Sequence, residues 1–239
     1  MLEYPKTENL YVRDEVRHCI PANPAERALR RAEFAIPQRW LLTEKIDGTN
    51  IRVQFCIADG SLSRNTFVAF GGRTDAAQLP PFLLKHLQET VTVEKMVACF
   101  DLNTCGILFG EGYGPRIQKG GGNYRPDVSF RLFDVVVFGP SVTQNPFDGR
   151  VGWLDWSNVE DIASKLGIST VPVLSRTATL SDAIQAVEEN FFSRVAAHEN
   201  NGCAYLAEGV VARTDPLLFD RRGHRLVWKL KHRDFERKP

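Results

Sequence analysis

The first strong element in the pattern of apolar and polar positions is the run Trp40-Leu41-Leu42, continuing through Thr43 to Glu44. Residues 50–57 then alternate, with Ile51, Val53, Phe55 and Ile57 on one side and Asn50, Arg52 and Gln54 on the other. Alternation with period two places one face of a strand against a core. Asp47-Gly48 lies between the two runs as a turn. Residues 66–71 read as another strand. Pro80-Pro81 opens a helical segment to about residue 100, because Phe82, Leu83, Leu87, Val91 and Val97 recur near helical spacing. Residues 106–110 and 130–138 are apolar runs of strand character.

Farther along, Ser157 and Glu160 have capping-box spacing ahead of Ile162, Ala163 and Leu166, and Gly167 ends that helix. Ser181 is the expected cap of a helix running to about His198, with Ile184, Val187, Phe191, Phe192 and Val195 inside. Residues 208–213 and 225–230 read as two closing strands. Strands and helices mix without strict alternation, and no repeat or linker interrupts them. The pattern predicts an α+β fold built on antiparallel sheets flanked by helices, as a single domain over residues 1–239.

Composition agrees with an ordinary globular chain: 239 residues, 43% hydrophobic and 25% charged. No apolar run has the length of a membrane span, and the first ten residues lack a signal-peptide pattern. Cys19, Cys56, Cys99, Cys105 and Cys203 are odd in number and without metal-ligand spacing, so free thiols in a reducing cytoplasm are expected. The net charge of +1 argues against a long electrostatic grip on nucleic acid. Basic residues do cluster, at Arg221, Arg222, His224, Arg225, Lys229, Lys231, Arg233, Arg237 and Lys238, and around Arg116, Lys119 and Arg125. Any contact with nucleic acid should therefore be local.

Against this background Glu44-Lys45-Ile46-Asp47-Gly48-Thr49-Asn50 stands out. A lysine at the end of an apolar run is partly desolvated, so it loses its proton more readily and can act as a nucleophile. Taken alone, Lys-x-Asp-Gly also fits an ordinary strand and turn. Four further segments bear on the choice. Glu111 is ringed by glycines in Phe-Gly-Glu-Gly-Tyr-Gly, which suits a surface turn or a close approach by a ligand. Alternation over residues 130–135 places Phe130 and Leu132 on one face and Phe133 on the other, so a phenylalanine here either stacks on a base or packs the core. Glu208 opens an apolar strand. Lys229 and Lys231 share a face opposite Trp228 and Leu230, as a solvated edge or as partners of an anion.

In content and order these segments resemble the covalent nucleotidyltransferases, the polynucleotide ligases and mRNA capping enzymes, over nearly the whole stretch from Lys45 to Lys231. Glu44-Lys45, Gly48, Thr49 and Asn50 are most similar to the RNA ligase 2 branch, and Gly71-Gly72-Arg73-Thr74 resembles its arginine motif. The resemblance implies that Lys45 attacks the α-phosphate of ATP to form lysyl-AMP. AMP then passes to a 5′-phosphate, and a 3′-hydroxyl expels it. It implies Lys229, Lys231 and Glu208 as catalytic groups. Glu44, Asn50, Arg73, Glu111 and the stacking aromatic Phe130 would bind the nucleotide. Mg²⁺ or Mn²⁺ would lie near Glu208 and Glu111, or one of the two would bind the ribose instead.

The implied partner is RNA, as a nicked duplex or an RNA/DNA hybrid, with a second protein as a candidate supplier of end binding and a monomer as the expected state. Asp47 departs from the His found in part of the branch, and residues 116–125 carry three consecutive glycines. Those glycines suit a flexible lid, a backbone contact to phosphate, or a mobile hairpin tip. Neither the OB-fold module of DNA ligases and capping enzymes nor the helical C-terminal domain of RNA ligase 2 is expected in these residues. Two other readings stand beside the RNA ligase: a DNA ligase-type or capping-type nucleotidyltransferase, and an inactive module that binds nucleic-acid ends.

Overall fold

The computed structural model describes residues 2–16, 18–58, 66–138 and 151–235. Arg237 and Lys238 of the basic cluster lie outside them. In chain order the strands and helices are β1 (Glu8–Asn9), β2 (Trp40–Lys45), β3 (Thr49–Ile57), β4 (Phe67–Gly71), α1 (Pro81–Thr90), α2 (Val93–Cys99), β5 (Thr104–Tyr113) and β6 (Ser129–Phe138). They continue with β7 (Val151–Trp153), α3 (Trp156–Leu166), β8 (Ser169–Thr170), β9 (Val173–Ala178), α4 (Leu180–Glu188), α5 (Arg194–Glu199), β10 (Gly209–Arg213) and β11 (Val227–Lys231).

The chain divides into two compact units, residues 1–5 with 48–170 and residues 6–47 with 171–239. No shift of composition marks the boundaries, because the chain steps from one unit to the other without a linker. One step falls between Asp47 and Gly48, so β2 and β3 do not form the hairpin that the turn suggests.

The unit of residues 6–47 and 171–239 holds a five-stranded sheet in the order β1-β11-β10-β2-β9. Only β1 and β11 run parallel among these neighbours. Trp40, Leu42, Val210, Ala212, Trp228 and Leu230 fill one core with Leu10, Ile20, Phe34, Ala183 and Val187. The indoles of Trp40 and Trp228 meet edge-on, their centroids 5.4 Å apart. Burying such large rings dominates the stability of a sheet this small. Because side chains alternate, the same strands turn Lys45, Lys229 and Lys231 to the opposite face.

The other unit holds a sheet in the order β4-β3-β5-β6-β7, with β8 beside β6. Ile107, Phe109 and Val136 on one face pack with Tyr4, Phe133 and Trp153. The backbone of Gly112 on the other face approaches Ile51 and Leu83 of α1.

Several local expectations need correction. The helix expected to residue 100 is two helices, because Thr92 is extended and its hydroxyl accepts the Lys95 amide to start α2. Asp155 precedes α3, not Ser157. Gly167 does end that helix, in the left-handed conformation. Thr179 and Asp182 form the capping box of α4, in place of Ser181. That helix ends at Glu188, shortly before Asn190, whose φ of 58° no right-handed helix accepts. Ser193 then caps α5, leaving Phe192 60% exposed on the connection.

The expectation of five free thiols is also corrected. Cys56 and Cys105 face each other across β3 and β5 and are bonded, while Cys19, Cys99 and Cys203 are free. Strand pairing brings together cysteines 49 residues apart, which spacing alone cannot reveal.

The triple-glycine segment is folded against its own unit. Residues Gly121–Asn123 form a short 3-10 turn, and Gly121 lies on the Gly114 carbonyl. Tyr124 is fully buried, edge-on to Tyr113. Arg116 spreads its guanidinium over the Phe82 ring at 4.5 Å. Gln118 Nε2 donates to the Gly48 carbonyl at 3.1 Å, so the segment holds the glycine that follows Lys45 and Asp47.

Candidate active site

Strand register builds the lysine cluster. Gly209 of β10 lies opposite Lys45 of β2 on one side and Lys231 of β11 on the other. Opposed residues in antiparallel strands share a face, so the two lysines flank one backbone position. That position must be glycine: its φ is 152°, and a Cβ would lie 2.2 Å from the Leu230 carbonyl oxygen. The residue before it, Glu208, reaches between the lysines. Lys45 Nζ is 2.6 Å from Glu208 Oε2, and Lys231 Nζ is 2.5 Å from Oε1. Arg233 stands 3.6 Å from the same oxygen. Lys45 Nζ also donates to the Ile46 carbonyl at 3.3 Å. Lys229 is half-buried on this face, opposite Val211.

Burial by itself would raise the Glu208 carboxyl. The charges and hydrogen bonds of Lys45 and Lys231 outweigh it and hold the group below its ordinary value. A carboxyl lowered on folding stabilises the protein above its ordinary range and loses that contribution as pH falls through the lowered value. At neutral pH Glu208 is therefore an anion, set between Lys45 and Lys231.

Lys231 is fixed from behind by residues that sequence reading missed. Asp234, almost wholly buried, accepts the Lys231 amide at 3.0 Å and the Arg13 guanidinium at 2.6 Å. Arg13 also reaches Asn9 of β1, which pairs with β11. These contacts order the strand end that carries the lysine. Arg13 and Asp234 are 221 residues apart, and no local pattern signals the pairing.

Glu44 is placed away from this cluster. It is buried on the opposite face of β2, where it accepts the Ser193 hydroxyl at 2.5 Å and the Arg194 amide at 2.8 Å. The carboxylate thus anchors the start of α5, a structural duty that its expected role in nucleotide binding did not include.

Asn50, Arg73, Glu111 and Phe130 lie on the other unit. Glu111 is inside β5, not at a turn beyond it, and register places Asn50 and Arg131 on either side of it. Gly48 crosses this row so closely that a Cβ would lie 2.3 Å from the Gly112 carbonyl oxygen and 2.8 Å from Glu111 Cγ. Asn50 Oδ1 is buried without a hydrogen-bond partner among the described residues, an acceptor open to a donor from outside the chain. Arg73 is exposed. It leaves a segment pinned by Arg52, which donates to the Gly72 carbonyl at 2.6 Å and to Asp75 at 2.9 Å.

Phe130 is 3% exposed, and its ring lies across Gly110 on the face away from Glu111. Phe133 packs on the face of Phe109, 5.1 Å from the Tyr4 ring. Phe130→Ala is expected to destabilise the protein by about 3–5 kcal/mol, as for other buried phenylalanines. Thermal unfolding beside ATP titration checks this placement. Weakened ATP binding at unchanged stability would return the ring to the nucleotide.

A family model of RNA ligases matches residues 38–231. The chain belongs to the RNA ligase family. The match runs from just before β2 to the last residue of β11, so it includes Lys45, Glu111, Glu208 and Lys231. Solved structures agree in fold. A point variant of Naegleria gruberi RNA ligase with AMP and Mn is 15% identical, with a TM-score of 0.58 over 97% of this chain and 56% of that one. Another variant of that protein, with ATP and Mn, is 16% identical, with a TM-score of 0.54 over 82% of this chain and 50% of that one. The same ligase with PPi is 18% identical, with a TM-score of 0.52 and the same coverage. The chain thus spans about half the length of these structures. No curated protein sequence matches it.

Proposed function

We propose that this chain is an ATP-dependent RNA ligase that joins 3′-hydroxyl and 5′-phosphate ends in RNA repair. The observation that carries the reading is the Lys45–Glu208–Lys231 cluster, 2.6 and 2.5 Å between charged atoms, within the stretch matched by the RNA ligase family. In the first step a neutral Lys45 Nζ attacks the α-phosphorus of ATP. The P–N bond forms as the bond to pyrophosphate breaks, and the proton leaves Nζ toward Glu208. Lys231, with Lys229, meets the charge that builds on the α-phosphate. A 5′-phosphate then displaces Lys45 to give an AMP-capped end, and a 3′-hydroxyl displaces AMP to close the phosphodiester.

A divalent cation supplies charge neutralisation for the triphosphate. Among the described residues no group of three or more His, Cys, Asp or Glu could hold such an ion. Mg²⁺ or Mn²⁺ is instead commonly held by phosphate oxygens, water and one or two carboxylates. Glu208 and Glu111 are each a carboxylate of the kind that mode uses, and Naegleria gruberi RNA ligase is solved with ATP and Mn. Asn50 Oδ1, a buried acceptor without a partner among the described residues, suits a hydroxyl or amino donor of the nucleotide.

A monomer, a cytoplasmic location and a partner that helps hold RNA ends belong to the same proposal. The test is sealing of matched nicked duplexes with ribose or deoxyribose at the 3′-hydroxyl strand, with ATP and Mn²⁺. Faster sealing of the ribose nick is expected. Faster sealing of the all-DNA nick would move the chain to the DNA ligases, and labelling by GTP in place of ATP would move it to the capping enzymes.

A further inference from the structure

The basic cluster at residues 221–225 is not used by the cluster at Lys45. It sits on the connection between β10 and β11, beyond the Arg213–Val227 pair. Lys231 is at the other end of the same hairpin, about 13 Å from Val227 at four strand rises.

This connection is a built turn. Asp220 Oδ1 accepts the amides of Arg222 and His224, each at 2.8 Å. The Asp220 amide donates to the His224 carbonyl, Gly223 donates back to the Asp220 carbonyl, and Phe219 bridges Arg225. Behind the turn, Arg31 pairs with Asp220 Oδ2 at 2.9 Å. The acid inside the turn is therefore neutralised from within the fold. Arg221, Arg222 and His224 remain exposed, and Arg225 is half-buried, against one exposed acid, Asp215, at the base. Arg221 and Arg222 make no ion pair among the described residues. Beside them Leu218 and Phe219 are 46% and 50% exposed.

A half-exposed ring and two exposed arginines on one hydrogen-bonded turn combine the two groups that single strands use, a stacking platform and phosphate partners. We propose that residues 218–225 bind the single-stranded RNA leading to the reacting end, with Phe219 stacking on a base and Arg221 and Arg222 on phosphates. This rests on the reading of the chain as an RNA ligase. It also gives a chain of net charge +1 a local grip on RNA.

The test uses the full chain, a 5′-phosphorylated single-stranded RNA and fluorescence anisotropy across a salt series. Arg221→Glu with Arg222→Glu should raise Kd at least about tenfold at low salt. The log–log salt slope should become shallower by about 0.7 for each phosphate that is no longer neutralised. Phe219→Ala should raise Kd about fivefold or more, the lower end of a missing base stack. Labelling of Lys45 by ATP should be unchanged in both variants, which also reports that the shared hairpin is intact. An unchanged Kd and slope in the double arginine variant would overturn the proposal, as would a parallel fall in labelling. Weakened RNA binding in a chain that takes no label from ATP would uphold the loop and sink the ligase reading.

Discussion

Glu208→Ala is expected to lower the rate of nucleotide transfer to Lys45 by at least about a hundredfold, the scale of losing a preorganised charged group. Glu208 holds Lys45 and Lys231 in one geometry and is the nearest group able to take the proton from the amine. Its removal leaves two ammonium groups on one face without their shared anion. They repel each other, and the lysine no longer points reproducibly at a bound phosphate. Glu208→Gln keeps the shape and one acceptor oxygen but loses the charge, so it should be nearly as slow. Rapid-quench labelling with α-labelled ATP at saturating Mn²⁺ measures the step directly. Transfer within about threefold of the unaltered rate in both variants would remove Glu208 from the chemistry; that margin is well under the tenfold that 1.4 kcal/mol of barrier represents.

The second large effect separates the steps. Lys45→Ala should abolish labelling and all ATP-dependent sealing, because the first step places the nucleotide on the Lys45 amine. Given an RNA strand already bearing the AMP cap, the same variant should still close the nick without ATP. The last step asks only that the ends be held and the leaving AMP be stabilised, which Lys231, Glu208 and the nucleotide-binding residues still provide. Sealing of capped and uncapped strands, compared by gel, distinguishes this from a lysine needed mainly for folding. Equal loss on both substrates would reject the assigned role.

The fold class could be read in the sequence because alternation sets each strand's face: Ile51, Val53 and Phe55 in β3, and Trp228 and Leu230 in β11, are buried as their period requires. The same period places Lys229 and Lys231 together. What pairing distance and tertiary contact decide could not be read. Register alone joins Cys56 to Cys105 and makes Gly209 the midpoint between Lys45 and Lys231. Glu44 lies beside the lysine in sequence, yet alternation sends it to the opposite face, where the start of α5 uses it. Phe130 and Phe133 both suit a stacking ring by composition. Alternation does send them to opposite faces of β6, but what each face packs against is set by tertiary contacts that the period does not carry. Helix caps failed for a related reason: Thr179 and Ser181 are both good caps, and the one whose partner Asp182 stands three residues on forms the box.

The central claim is that Lys45 carries the nucleotide as a phosphoramidate. It is tested most directly by incubating the chain with ATP and Mn²⁺ and measuring intact mass, then mapping the modified peptide by mass spectrometry. The account predicts one added AMP, located on Lys45, removed by pyrophosphate and absent from Lys45→Ala. An AMP that maps to another residue or persists in Lys45→Ala would contradict it, as would an unaltered chain that gains no mass.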